Sequence, residues 1–306
     1  MTKDRSKLTT EKRNPRSADI DSRSTLSIVR TINSEDALVA PAVGKAARAI
    51  AAAVELIVKS LRAGGRVFYV GAGTSGRLGV LDASECPPTY GVPRTMVQGI
   101  IAGGRRALVR SVEGAEDDPQ AAAAELRKRR LSARDCVVGI AASGVTPFVH
   151  GAIDQARKVG AASVFVTCAP QAVADITAGV IIAVVVGPEV VTGSTRMKAG
   201  TASKLVLNTL TTAAMIKLGK VYGNLMVDLR ATNVKLRDRA ERIVQQSAGV
   251  GRPTARRLLQ AAGGRAKVAI LMHLLGVNAA SARKLLRGHR SLREVLDAHS
   301  SPQARR

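Results

Sequence analysis

The chain has 306 residues, 46% of them hydrophobic, which is enough for one large or two modest cores and excludes a disordered polymer. Net charge is +24, and residues 226–306 carry 17 Lys/Arg against five Asp/Glu. Three Phe, three Tyr and no Trp leave no aromatic set for stacking on bases, so the excess reads as a solvated arginine-rich surface and no nucleic-acid partner is expected.

Residues 1–25 are polar and charged, broken at Asn14-Pro15, and read as an extended arm without the apolar stretch of a signal peptide. Ser34 is expected to cap a helix that opens on Glu35 and Asp36 and continues, rich in alanine, to about Leu61, where Ala63-Gly64-Gly65 ends it. Apolar strands at 66–71, 95–100, 136–142, 162–167 and 180–186 then alternate with helices at about 75–84, 118–130 and 147–159. That alternation, with a core of small aliphatics, predicts an α/β fold: a parallel sheet between helical layers. A long helix follows from near Ser194 to Leu218, and another over about 224–246. The first is small or apolar on most faces around 199–214, which predicts a second subunit against it and hence a homodimer. Pro253 opens a short helix, with two or three more set off by Gly263-Gly264, Gly276 and Gly288: a small three-helix unit of about 45 residues. The chain so divides into an arm and helix (1–50), an α/β domain (51–225) and a helical region (226–306).

Cys86, Cys136 and Cys168 lack metal or disulfide spacing, the four histidines show no ligand or triad spacing, and no run reaches the ~18 apolar residues of a membrane helix. A cytoplasmic protein without metal or membrane attachment is expected. The stretch Gly71-Ala-Gly-Thr-Ser-Gly-Arg-Leu-Gly79 follows the first strand and opens a helix. It matches the spacing Gly71-x-Gly73-x-x-Gly76 of dinucleotide loops, but the next strand ends on Gln98-Gly99 rather than an acid that would hold a ribose. The hydroxyls of Thr74 and Ser75 beside Gly73 suit a monophosphate at a helix N-terminus. Ser143-Gly144-Val145-Thr146-Pro147 repeats the pattern after the third strand. Either loop alone reads equally well as helix capping; two at the ends of parallel strands point to an anion site. A third cluster, Ser194-Thr195-Arg196-Met197-Lys198, adds two cations, or simply starts a helix.

Two carboxylates are candidates for proton transfer. Glu85 stands one helix length beyond the first loop, before Cys86-Pro87-Pro88, which should end that helix. Glu116 lies in the acidic turn Glu113-Gly-Ala-Glu-Asp-Asp118, where Glu113, Asp117 and Asp118 are alternatives and acids before a helix also serve the helix dipole.

These motifs bring a resemblance that spans nearly the whole chain. Leu8–Pro15, Gly71–Pro88, Val112–Asp118, Ala141–Pro147, Gly187–Thr201 and Leu218–Asp228 resemble the N-acetylmuramic acid 6-phosphate etherases, a branch of the sugar isomerase (SIS) fold superfamily. The resemblance implies a three-layer αβα SIS-type sheet, a small C-terminal unit like a ubiquitin-associated fold, a sugar phosphate as substrate and no cofactor. It places the family's two active-site glutamates at Glu85 and Glu116. It also implies release of D-lactate by elimination followed by hydration. One position departs: Val145 stands where the family usually has arginine. A sugar-phosphate-sensing regulator of the same fold is the rival reading. It would need the loops but not both glutamates.

Overall fold

The computed structural model describes residues 6–229 and 234–300. The fold has two compact units, Met1–Ser84 with Arg94–Thr211, and Glu85–Pro93 with Thr212–Arg306.

The first unit is built on five parallel strands in the order β2-β1-β3-β4-β5: β1 (Val67–Gly71), β2 (Val97–Ile101), β3 (Cys136–Ile140), β4 (Ala162–Thr167) and β5 (Val180–Ala183). The apolar runs of the sequence are these strands, with ends shifted by up to three residues. Every residue of β1 and β3 is buried, as expected where helices cover both faces. Phe68, Val70, Val137 and Phe165 form one core with residues of α5 (Pro119–Lys128) and α6 (Pro147–Lys158). On the other face the Tyr69 hydroxyl donates to the Leu207 carbonyl of α7 (Lys198–Lys217). Gly79 of α4 (Gly73–Tyr90) meets that same Tyr69. Register is pinned at the strand entrances by Asp135. Its carboxylate accepts from the Arg66 amide at 2.8 Å and from the Arg66 guanidinium at 3.1 and 2.9 Å, just before the Val67–Cys136 pair.

Three helices precede the sheet: α1 (Thr25–Asp36), α2 (Val39–Lys45) and α3 (Ala47–Arg62), the last packed along β4 and β5. The first starts ten residues earlier than the sequence suggests. Ser24, not Ser34, accepts the capping hydrogen bond, from the Ser27 amide, while Ser34 lies inside α1 with its hydroxyl on the Thr31 carbonyl. The described part of the arm is not extended. It forms short 3₁₀ turns with Asn14 and Ser17 buried: the Asn14 amide donates to Glu35 at 2.8 Å, and the Ser17 hydroxyl to the Val190 carbonyl at 2.7 Å. No single helix among the described residues is long and apolar enough to cross a membrane. The pair Thr25–Lys45 and Ala47–Arg62, bent by 61°, passes only when taken together.

Two further expectations need correction. Pro87 and Pro88 do not end α4; the helix runs to Tyr90, although each proline removes an N–H that would bond a carbonyl one turn back. The prolines sit in the last turn, where Gly91 closes the helix by donating to the Pro87 carbonyl at 3.0 Å. Helix α7 does not depend on a second chain for cover. Ala199, Ala202, Val206, Leu207, Leu210, Ala214 and Met215 are buried in a single copy, and its exposed positions are Thr201, Lys204, Thr209, Thr212, Ile216 and Lys217.

The second unit contains α8 (Val234–Ala248), α9 (Arg252–Ala261), α10 (Ala266–Leu275), α11 (Ala279–Gly288) and α12 (Leu292–Ser300). Four helices thus follow Gly251, and α8 packs against α9 and α10 in a core that includes Ile243, Val244, Ile270, Leu271 and Leu292. The expected span 224–246 begins instead with turns and a bridge between Tyr222 and Leu225, and its residues 230–233 lie outside the described residues.

Candidate functional site

The strand order reverses at β1. Its two neighbours leave in opposite directions along the chain, and a crevice opens beyond the carboxyl ends of β1 and β3, the place where open α/β sheets bind ligands. Gly71 and Ile140 are paired, so the loops that follow start at the same height. Those loops carry the hydroxyl motifs found in the sequence.

Thr74 and Ser75 lie in the first turn of α4, whose unpaired amides and dipole face that crevice. Thr74 stands beside Gly200 of α7, where an added Cβ would meet the Thr74 methyl at 3.4 Å, so the first loop lies alongside the first turn of α7. The second loop is held by its surroundings. Gly144 has φ +76°, its amide donates to the Ala141 carbonyl at 2.9 Å, and its own carbonyl accepts from His150 Nε2 at 2.8 Å. Thr146 occupies the N-cap of α6 but makes no capping hydrogen bond with its hydroxyl. Among the described residues, the hydroxyls of Thr74, Ser75, Ser143, Thr146, Ser194 and Thr195 hold no partner in the chain. Capping therefore does not account for them.

A cavity of about 170 Å³ joins Gly73 and Arg77 of α4 to Ser111, Glu113, Gly114 and Glu116. The acidic turn is thereby sorted. Asp118 is the N-cap of α5, accepting from the Gln120 and Ala121 amides at 2.8 and 3.1 Å, and satisfies the helix end. Asp117 does not line the cavity. Glu113 and Glu116 do, exposed and without an ion pair among the described residues. Arg77 is the residue that sequence reasoning passed over. It is the one cation of α4, and its Nε donates to the Leu108 carbonyl at 3.2 Å, which sets the guanidinium at the cavity wall. The signal was its place in Ser75-Gly76-Arg77.

Glu85 is exposed, belongs to the second unit, and has no hydrogen bond or ion pair among the described residues. The third cluster divides. Ser194, Thr195 and Arg196 form the turn before α7, with Arg196 exposed. Lys198 is 1% exposed and its ammonium is bound to Glu35. Its amide and that of Ala199 are taken by the buried Glu189 carboxylate at 3.0 and 2.9 Å. The N-terminus of α7 thus already holds an anion from the chain itself. Burial pushes the Glu189 carboxyl up from its ordinary value, against the pull of those two amides. Among the described residues, no group of three or more His, Cys, Asp and Glu is placed to hold a metal ion.

A five-stranded parallel sheet with hydroxyl loops at its point of reversal defines the class, an α/β protein of the open-sheet, ligand-binding type, and its SIS domain is shown by comparison. The model of the glucokinase regulatory protein N-terminal SIS domain matches residues 49–157. The chain is 57% identical to the N-acetylmuramic acid 6-phosphate etherase of Gloeobacter violaceus over 270 residues, 88% of either chain. It is 53% identical to that of Rhodopirellula baltica over 279 residues, 91% of this chain and 92% of the relative. With that of Salmonella typhi it shares 52% over 291 residues, 95% of this chain and 98% of the relative. The chain belongs to the N-acetylmuramic acid 6-phosphate etherase family. Among solved structures, a phosphoheptose isomerase from Neisseria gonorrhoeae has 16% identity and a TM-score of 0.47, covering 62% of this chain and 98% of its own.

Proposed function

We propose that Glu85 and Glu116 are the acid–base pair with which this etherase cleaves the lactyl ether of N-acetylmuramate 6-phosphate. The products are N-acetylglucosamine 6-phosphate and D-lactate, and the setting is cytoplasmic amino-sugar catabolism and cell-wall recycling. Direct displacement at an unactivated ether carbon is slow. In the open-chain sugar, however, the C2 proton is alpha to the C1 aldehyde and the C3 ether oxygen is beta to it. A carboxylate removes the C2 proton, the C3–O bond breaks, and a carboxylic acid protonates the departing lactate oxygen. Water then adds to C3, returning a proton to C2. We assign protonation of the leaving group to Glu85 and the partner role to Glu116; such a pair must hold opposite protonation states in each step.

The observation that supports the role of Glu116 is the cavity uniting Gly73, Arg77 and Glu116, a cation and helix amides on one side and a carboxylate on the other; Glu85 does not line it, and its role rests on the family resemblance. Thr74, Ser75, Ser143, Gly144 and Thr146 are proposed to hold the 6-phosphate together with that helix end, and Ser194, Thr195 and Arg196 to border it. Lys198, held by Glu35, is proposed to shape the site rather than touch substrate. We further propose a domain division at 1–50, 51–225 and 226–306.

At about 170 Å³ the cavity is smaller than the ~300–1,000 Å³ of typical small-molecule sites, so further walls are needed. A homodimer that supplies them is proposed. It is supported by Leu26 and Val29 of α1, one turn apart and 57% and 56% exposed.

Lactate release from N-acetylmuramate 6-phosphate tests the assignment. Glu85→Gln and Glu116→Gln should each lose at least about a hundredfold in turnover with an unchanged circular dichroism spectrum. Near-normal release by either variant removes that residue from the mechanism. Exchange of C2 hydrogen with deuterated water that persists in one variant without lactate release assigns the proton abstraction to the other glutamate.

A further inference from the structure

The second unit holds a cavity of about 720 Å³ beyond the residues proposed for the etherase reaction. Its charged lining, with His289, is Lys220, Asp228, Arg265, Lys267 and Arg290, and it includes none of the candidate etherase residues.

The charges do not balance. Asp228 is the only carboxylate in the lining, and two lysines share it: Lys267 Nζ at 2.7 Å and Lys220 Nζ at 3.5 Å. Lys267 also donates to the Gly219 carbonyl at 2.9 Å, so its position is fixed. The guanidinium groups of Arg265 and Arg290 have no ion pair or hydrogen bond among the described residues. Four cations face one carboxylate in the lining, and the Glu294 carboxylate beside it accepts from the Arg290 amide at 2.8 Å. His289 Nδ1 is bound to the Leu285 carbonyl at 2.9 Å, which leaves Nε2 as its free ring nitrogen.

The backbone adds to this excess. Arg265 is the N-cap of α10 and makes no capping hydrogen bond with its side chain. The first intrahelical bond is from Ala269 to the Arg265 carbonyl, so the amides of residues 266–268 are unpaired within the helix, and Lys267 and Val268 line the cavity. The volume is that of a metabolite-sized site, within the ~300–1,000 Å³ of small-molecule pockets. A surface that tracks a nucleic-acid backbone is a groove with stacking rings, and Tyr90 is the only aromatic ring other than His289 in the lining.

We propose that this cavity binds a small phosphorylated anion, a phosphate monoester or phosphate itself, with the exposed Arg265 and Arg290 as its charged clamp and Lys220 and Lys267, both at Asp228, as its floor. Guanidinium groups pair two oxygens of a phosphate at once, and two of them with two lysines match a dianion.

Isothermal titration of the full chain with inorganic phosphate and, separately, with glucose 6-phosphate tests this, comparing the unaltered protein with Arg265→Ala/Arg290→Ala. The double variant should lose one binding event per chain or weaken it at least tenfold. Its lactate release without added anion should be unchanged. Arg265→Lys/Arg290→Lys retains the charge and should keep most of the affinity. A preference of tenfold or more for the sugar phosphate identifies a phosphorylated metabolite as the ligand, and equal binding identifies phosphate itself. Identical titrations for the unaltered and Ala variants overturn the proposal, as does tight binding of an oligonucleotide without binding of either small anion. If the double Ala variant is not folded by circular dichroism, the single Arg290→Gln carries the same comparison.

Discussion

The ammonium of Lys198 is bound to the carboxylate of Glu35, 163 residues earlier in the chain, and the two side chains are only 1% and 3% exposed. Asn14 donates to the same Glu35 oxygen and Arg16 to the other, so one buried carboxylate ties the N-terminal turns and the end of α1 to the start of α7. Burial by itself would raise the Glu35 carboxyl, but the hydrogen bonds from Lys198 and Asn14 and the charges of Lys198 and Arg16 outweigh it and hold it below its ordinary value.

Lys198→Met should therefore cost about 3–5 kcal/mol at neutral pH, because it strands a buried carboxylate rather than merely deleting a contact. Glu35, with its pKa lowered in the folded state, contributes stability that is complete above the ordinary carboxylate range and is lost as pH falls through the lowered value. The variant lacks most of that contribution. Urea denaturation at pH 7 and pH 4 should show the gap between unaltered and variant proteins narrowing in acid. A gap that stays constant with pH means that the pair does not carry the effect.

This tether was invisible in the sequence, whereas the sheet was not. Buried parallel strands are continuous apolar runs, and all five were marked by them. Only the ends shifted, as in 180–186, where Val184 and Val186 are buried beyond the end of β5 and look the same in a hydrophobicity pattern. Ser34 and Ser24 are both good caps by composition, and the helix uses Ser24, whose side chain accepts from the Ser27 amide. The hydroxyl loops were legible because small residues and hydroxyls at a strand end have a local reason. The pairing of Lys198 with Glu35 is not legible in the sequence, because its partner sits far away along the chain and no local spacing records a pair of that kind. Arg77 was legible in principle, a lone cation in a loop of hydroxyls.

Asp82 stands one turn before Glu85 on α4 and is buried against α7. Its carboxylate accepts from Asn208 at 2.7 Å and from the Thr211 hydroxyl at 3.0 Å. Burial pushes its carboxyl up, opposed by the hydrogen bonds from Asn208, Tyr69 and Thr211. Asp82 thus ties α4 to α7 one turn before Glu85, and it is expected to position that proposed acid. Asp82→Ala leaves buried donors on α7 unsatisfied, a cost of about 1–3 kcal/mol. It should lower kcat several-fold more than it alters KM, and Asp82→Asn, which retains an acceptor, should recover most of the rate. Equal losses in both variants indicate a requirement for the charge itself instead.

All three cysteines are buried, and burial pushes the thiols of Cys136 and Cys168 up to about 12, helped by the nearby carboxylates of Asp135 and Glu189. Almost no thiolate is then present at neutral pH, and the thiolate is the reactive form. A thiol reagent such as dithionitrobenzoate should label essentially none of the three in the native protein within minutes and all three in guanidinium. Fast native labelling of Cys136 or Cys168 would contradict this packing.

The final expectation contrasts two glycines three residues apart in the first loop. A Cβ added at Gly76 would lie 2.6 Å from the Gly71 carbonyl oxygen and 2.6 Å from Ile101 Cγ1. The first of these is backbone of β1, fixed by hydrogen-bonded strands on both sides, so it cannot yield. Gly76→Ala must push the start of α4 off the sheet, a cost of about 1–3 kcal/mol for an overpacked contact, and must move Thr74, Ser75 and Arg77 with it. At Gly73 an added Cβ meets nothing within 4 Å, and the only penalty is its φ of +51°, about 1–2 kcal/mol for a non-glycine residue. Gly73→Ala should therefore fold nearly as well as the unaltered chain, and its methyl, at the wall of the cavity that holds Arg77 and Glu116, should raise KM for the sugar phosphate. Gly76→Ala should lose both melting temperature and kcat. Thermal melts with steady-state kinetics separate the two. If Gly76→Ala melts with the unaltered protein, α4 is not pressed on β1 as closely as this, and the placement of the first loop falls with it.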